Sequence, residues 1–252
     1  MKKYVDTTKL NLPKTIEHEF KEFCRALQDI YEDEITSIIV YGSVARREYF
    51  AERSDINVLI VIEHADLDTL RKAVDAIHKA RETCKVTPFF LTPEDMDTSR
   101  DVFPIKFYDM LDAYEVVYGR DLLAGMEIDD GNLRLELEQE MKILMLELRQ
   151  FYMQRAKKGG PGGAEHLLAY FNSFLYLMKR LLKMQGHQVP MQNDELIKTI
   201  ASTYDMDGEM MRRFLDYKRG KPLKSAPDEA IPFYKEVYKG AMLIDKLEVP
   251  HP

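Results

Sequence analysis

The sequence has little of what would tie the chain to a membrane or to an oxidising compartment. No apolar run approaches the ~20 residues that a helix needs to span a bilayer. The first nine residues lack the apolar core of a signal peptide. There are two cysteines, Cys24 and Cys84, in segments that read as helix or helix end, so we expect buried free thiols rather than a disulfide or metal ligands. These absences argue against a membrane partner and predict a cytoplasmic protein.

A strong basic bias is also lacking. The 252 residues carry a net charge of −7, with 17 Lys and Arg against 27 Asp and Glu in residues 1–130 and 19 against 16 in residues 131–252. A dedicated nucleic-acid binder is expected to be far more basic, so nucleic-acid binding stays open but is not favoured. One basic cluster fits either a phosphate-binding patch or a solvated helix end, and the solvated helix end is favoured. Its members are Arg212, Arg213, Lys218, Arg219, Lys221 and Lys224.

The first half of the chain alternates between helical and strand patterns. Pro88 interrupts the third strand pattern, and since proline cannot donate to a central ladder, this strand is predicted to lie at a sheet edge. The expected fold class is α+β, with a small mixed sheet. The predicted helices cover residues 13–31 and 66–84, and the predicted strands cover residues 35–41, 58–62 and 86–91.

The second half shows helical patterns and no strand pattern. A long helix is predicted from residue 133 to residue 157, where the glycine-rich segment 157–163 breaks it. A second long helix is predicted to end at Gly186, which suits a C′ glycine. We therefore predict two domains, residues 1–125 with the mixed sheet and residues 126–252 as an all-helical bundle.

Two neighbouring apolar runs carry most of the functional information. The first ends in Gly42-Ser43, and the second is preceded by Ser54-Asp55 and has Asn57 near its start. A glycine after a strand lets the backbone come close to phosphate oxygens, and the serine adds a hydroxyl donor. Side chains two apart on a strand point to the same side, so Asp55 and Asn57 can face one ligand. In this layout the chain resembles the nucleotidyltransferase superfamily, with its DNA polymerase beta-like and kanamycin nucleotidyltransferase-like members.

The resemblance implies a site for a nucleoside triphosphate and a metal. Gly42, Ser43 and Arg46 would bind the nucleotide, and Asp55 and Asn57 would be the catalytic residues that hold Mg²⁺. The family has an acid where this chain has Asn57, and many members add a third acid on a following strand. Here that strand, residues 86–91, has only Thr87 as a polar side chain. A neutral amide cannot bridge two cations as a carboxylate does, so the metal motif is degenerate.

Two functions follow from the resemblance and stay open. One is magnesium-dependent transfer of a nucleoside monophosphate from a nucleoside triphosphate to a hydroxyl of a small molecule or a macromolecule, weak or lost. Its general base would lie on the helical domain, where Glu140 and Glu147 are the candidates, although exposed helix charges explain them better. The other is a non-catalytic nucleotide-binding or partner-binding protein of the same fold. The acceptor, the base preference and the oligomeric state are not predicted.

Overall fold

The computed structural model describes residues 4–47, 54–156, 163–223 and 225–248. The chain separates into two compact units, which we name the sheet unit (Met1–Asp129) and the helical unit (Asp130–Pro252). The α+β fold class predicted from the sequence is confirmed. No helix within the described ranges is both long and apolar enough to cross a membrane.

The sheet unit is built on one four-stranded mixed sheet. Its strands are β1 (Ile35–Tyr41), β2 (Ile56–Ile62), β3 (Val86–Leu91) and β4 (Tyr114–Gly119). Its helices are α1 (Lys14–Tyr31), α2 (Leu67–Arg71), α3 (Val74–Cys84), α4 (Pro93–Ser99) and α5 (Pro104–Asp112). The strand order is β3-β2-β1-β4, in which β1 pairs antiparallel with β2 and β4, and β2 pairs parallel with β3. The strand that contains Pro88 is an edge strand, as predicted.

The two central strands are apolar on both sides because helices cover both faces of the sheet. On one face, Phe20 of α1 and Ala80 of α3 belong to the same core as Val58 of β2. On the other face, Phe107 of α5 packs in a second core with Leu59. Burial on two sides explains why both strands appear in the sequence as continuous apolar runs. The two predicted free thiols are confirmed, since Cys24 and Cys84 are both buried and unbridged.

The helix predicted over residues 66–84 is two helices in the structure. Asp66 caps α2 by accepting the N–H groups of residues 68 and 69, and the chain then tightens before α3 begins. The tightening uses i→i+3 bonds, with Ala73 N–H donating to the Leu70 oxygen at 3.1 Å. The phase of the apolar pattern therefore shifts, so Leu67 is 84% exposed and Ala73 is fully buried. Spacing alone did not reveal this break.

The helical unit has five described helices around an aromatic core. They are α6 (Asp130–Arg155), α7 (Ala164–Met184), α8 (Asn193–Tyr204), α9 (Gly208–Lys218) and α10 (Ala226–Asp245). Phe171 stacks on Phe214 with ring centroids 4.7 Å apart, and Phe233 contacts both rings. Most of the glycine-rich segment, residues 157–162, lies outside the described residues.

Candidate functional site

A tight turn follows β1 in the sheet unit. Gly42 has φ +78°, in the left-handed region that favours glycine, and its N–H donates to the Ala113 oxygen at 3.1 Å. The Arg46 N–H donates back to the Gly42 oxygen at 3.0 Å and closes the turn. Between these bonds the N–H groups of residues 43–45 have no protein acceptor within the described ranges. Successive N–H groups without acceptors form the kind of concave site that binds anions.

Asn57 lies directly against this turn. It is the cross-strand partner of Tyr41, the last residue of β1. A Cβ atom built on Gly42 would come within 3.3 Å of the Asn57 Nδ2 atom, so glycine is what lets the amide approach. Asp55 precedes β2 by one residue, is exposed, and falls on the same side as Asn57 by the two-residue alternation of a strand. The structure thus brings the predicted residues Gly42 and Asn57 together. Asp55 lies at the solvent-exposed start of β2.

The residues at this level of the sheet form one row, which we name the site row. It runs across all four strands in the order Thr87, Asn57, Tyr41 and Tyr114, each paired with the next. Thr87 is exposed and occupies the place on β3 where a third acid would face Asn57. Burial, and secondarily Asp121, raises the pKa of Tyr114 above its usual value, so this phenol stays neutral. The site row contains no carboxylate.

Arg46 is held from the protein side. Its Nη1 atom lies 3.3 Å from the Asp112 Oδ2 atom at the end of α5, and both side chains are largely buried, with exposed fractions of 26% and 22%. The predicted nucleotide-binding arginine therefore has a carboxylate partner at the edge of the turn. Such a pair orients the guanidinium at the edge of the turn.

Lys106 of α5 is a cation that sequence reasoning missed. Its Nζ atom lies 5.4 Å from the centroid of the Tyr41 ring and 5.0 Å from that of the Phe89 ring. Tyr41 belongs to the site row, and Phe89 is two residues after Thr87 on β3. The contact depends on how α5 packs on the sheet. No local motif could have revealed it, because Lys106 lies far from Gly42 and Asp55 in the sequence.

The side chains at this site are poor ligands for a pair of magnesium ions. Mg²⁺ is bound through carboxylates and phosphate oxygens, whereas this site offers the exposed Asp55 carboxylate, the Asp112 carboxylate that is paired with Arg46, an amide, a hydroxyl and a nearby ammonium group. Across the described part of the chain, no group of three or more His, Cys, Asp or Glu side chains is arranged to hold a metal ion. That Asp55 and Asn57 hold Mg²⁺ stays a prediction, in which Asp55 is the one carboxylate.

The helical unit has an open cavity of about 570 Å³ where α7, α8 and α10 end. The Tyr204 hydroxyl lines it and donates to the Gln185 Oε1 atom at 2.6 Å. Burial raises the pKa of Tyr204 to about 12. Asp130 and Glu248 also line the cavity, and their carboxyl groups make it a poor phosphate site.

The basic cluster of the helical unit is tied into local ion pairs. Arg213 binds Glu229, Arg219 binds Asp194, and Lys221 binds Asp216. This pairing agrees with a solvated helix end, while Lys224 lies outside the described residues. The candidate bases Glu140 and Glu147 are exposed on α6.

The mixed sheet of the sheet unit and the helices that follow it in the chain define the class of fold. The fold is that of a nucleotidyltransferase domain followed by a helical domain. A solved structure with this fold is spectinomycin adenyltransferase from Enterococcus faecialis, crystallised with ATP and spectinomycin. The TM-score is 0.62 and the sequence identity 13%, over 90% of this chain and 99% of that chain. No family model and no curated protein matches the sequence. At this identity the likeness concerns the fold alone.

Proposed function

We propose that the chain binds a nucleoside triphosphate at the turn after β1 and that nucleotidyl transfer is weak or lost. The observation that carries the proposal is the Gly42 turn, whose N–H groups at residues 43–45 have no described acceptor and whose neighbour across the sheet is the neutral Asn57. The turn suits a phosphate, and the site row lacks the carboxylates that transfer needs.

Each residue has a role in this proposal. Gly42 leaves room for the backbone to approach a phosphate oxygen, and the Ser43 hydroxyl adds a donor. Arg46, oriented by Asp112, contributes positive charge at the edge of the turn. Asn57 offers an amide N–H₂ donor where the family has an acid, and Asp55 is the one carboxylate that remains.

A second candidate is magnesium-dependent transfer of a nucleoside monophosphate to a hydroxyl acceptor. Asp55 lies one residue before β2 and Asn57 lies two residues later on the strand, so a carboxylate and a carbonyl oxygen can still face one cation. The acceptor would be a small hydroxylated molecule or a macromolecule. The similar structure was solved with spectinomycin, which makes that compound a reasonable trial acceptor.

The test combines binding with turnover. ATP and GTP are titrated into the wild type and into Ser43→Ala, with Ser202→Ala, an exposed serine of α8, as the matched control. We expect nucleotide binding by the wild type, about tenfold weaker in Ser43→Ala because a hydrogen bond to a charged group is lost, and unchanged in the control.

Pyrophosphate release is measured in parallel with magnesium and spectinomycin. We expect none above background. Magnesium-dependent release by the wild type would establish the second candidate, and absence of nucleotide binding would overturn both.

A further inference from the structure

Lys106 places a positive charge on the face of the sheet that carries the site row. Its ammonium contacts two rings from different strands, Tyr41 of β1 and Phe89 of β3. In the strand order β3-β2-β1-β4, only β2 lies between these strands. Tyr41 pairs with Asn57 and Phe89 pairs with Leu59, so Lys106 contacts side chains on both sides of β2 at this level of the sheet.

Lys106 makes no ion pair within the described residues, although the Asp109 carboxyl lies one turn further along α5. The described contacts of its ammonium are cation–π contacts with the two rings. No carboxylate of the described ranges lies within 4.0 Å of the Nζ atom. Lys106 is half-buried and its ammonium lies over aromatic rings, a setting in which an anion that reaches the ammonium is bound strongly.

Two positions of the site row, one on β2 and one on β3, are neutral where the family pattern has acids. Asn57 replaces the second acid, and Thr87, its partner on β3, stands where a third acid would lie. An acid at either place would add a negative charge to the sheet face that carries Lys106 and would offset its positive charge. Because Asn57 and Thr87 are neutral, they leave the positive charge of Lys106 in place. This charge attracts anions to the site.

We propose that the Lys106 ammonium supplies the positive charge for the phosphate chain of the ligand, so the chain binds a polyphosphate without a divalent cation. This inference rests on the proposed function for the identity of the ligand as a nucleotide. The turn at residues 42–46 donates N–H groups to one phosphate, and Lys106 pairs with another. Lys106 is a binding residue in this account and takes no part in bond making.

The first experiment removes the charge. ATP and inorganic tripolyphosphate are titrated in EDTA into the wild type, Lys106→Met and Lys106→Arg. The control is Lys79→Met, which removes the same charge from an exposed position on α3, a helix that packs on the opposite face. Lys106→Met is expected to weaken both ligands about tenfold or more, while Lys106→Arg and Lys79→Met stay close to wild type.

The second experiment restores the acid. In Asn57→Asp the new carboxylate pairs with Lys106, so metal-free binding weakens and magnesium gives little recovery. In the double variant Asn57→Asp/Lys106→Met the carboxylate is free, and we expect binding that requires magnesium. Full magnesium dependence in Asn57→Asp alone would overturn the proposal.

The outcomes separate this inference from the proposed function. Binding of ATP only with magnesium, unaffected by Lys106→Met, overturns the inference and leaves a nucleotide-binding protein. If the protein binds tripolyphosphate but not ATP, and Lys106→Met abolishes this binding, the ligand is not a nucleotide. The role of Lys106 in polyphosphate binding then still holds. Binding of neither ligand overturns both, and equal loss in Lys106→Met and Lys106→Arg assigns the lysine to packing and overturns the inference.

Discussion

Gly42 controls how closely the turn after β1 can approach Asn57. We predict that Gly42→Ala weakens ATP binding, because the new Cβ would lie 3.3 Å from the Asn57 Nδ2 atom and push the amide out of place. The matched control is Gly125→Ala, which has a similar φ of +74° but nothing within 4 Å of the new Cβ. Both variants should lose about 1–2 kcal/mol of stability to backbone strain, measured by urea unfolding. Equal ATP affinity in the two variants would contradict a role for the Gly42 turn.

Glu236 gives a prediction about pH. Burial raises the pKa of its carboxyl above the usual value, against a smaller opposite effect of the Asp207 N–H, and Asp205, Asp207 and Lys239 are the charged neighbours. A raised folded pKa means that the folded state binds the proton more tightly than the unfolded state, so the ionised form destabilises the fold. Glu236→Gln should therefore be more stable than the wild type at pH 7.

That advantage should shrink as the pH falls through the raised pKa, where the wild-type carboxyl becomes neutral. Thermal unfolding of both proteins across pH 4–8 measures it, with the exposed Glu165→Gln as control. An advantage that grows toward acid pH would show that the sign is wrong.

The residues of the turn were predictable from the sequence, whereas the cation over the sheet was not. Gly42 follows the first apolar run, and Asn57 lies 15 positions later, near the start of the second run. In the structure Asn57 lies directly against Gly42. Lys106 is brought to the same face by helix packing, which depends on the tertiary arrangement of α5. Short-range patterns carry the first kind of information and not the second.

The pair of α9 and α10 is joined by a buried carboxylate. Glu229 is 5% exposed, and Arg213 reaches it with Nε at 3.2 and 3.0 Å from the two oxygens. Arg213→Met leaves this carboxylate unpaired, and we predict a loss of about 2–3 kcal/mol, less than for a fully buried pair because Arg213 is 41% exposed.

The neighbouring exposed pair supplies the control. Arg212→Met removes a contact with Glu209 within the same helix and should cost no more than about 0.5 kcal/mol. The double variant Arg213→Met/Glu229→Leu should recover most of the loss, since no charge is then buried. Urea unfolding measures all three, and similar costs for the two single variants would contradict the structural role of Arg213.

Elements with one clear period were predicted well, and breaks set by tertiary packing were not. The strands β1 and β3 have the predicted limits. The break between α2 and α3 was missed because a buried alanine, Ala73, and not a glycine or proline, marks it. Glycine and proline mark strong helix breaks in the sequence itself. The burial of a small residue such as alanine depends on the folded structure.

For the whole molecule, the fold is better defined than the reaction. The sheet unit and the helical unit have the architecture of a nucleotidyltransferase, and a spectinomycin adenyltransferase shares it at 13% identity. A fold hosts many functions, so the activity depends on the residues of the site. The candidate site combines the Gly42 turn, the exposed Asp55 carboxylate and Lys106 over the Tyr41 and Phe89 rings.

The most direct test of the account is the affinity for ATP with and without magnesium. Calorimetric titration of the wild-type protein in EDTA, repeated in excess magnesium, gives the ratio of the two dissociation constants. We predict binding in EDTA and a ratio within about threefold, since the positive charge comes from the protein. Binding that appears only with magnesium, accompanied by pyrophosphate release, would contradict the account and identify a metal-dependent nucleotidyltransferase.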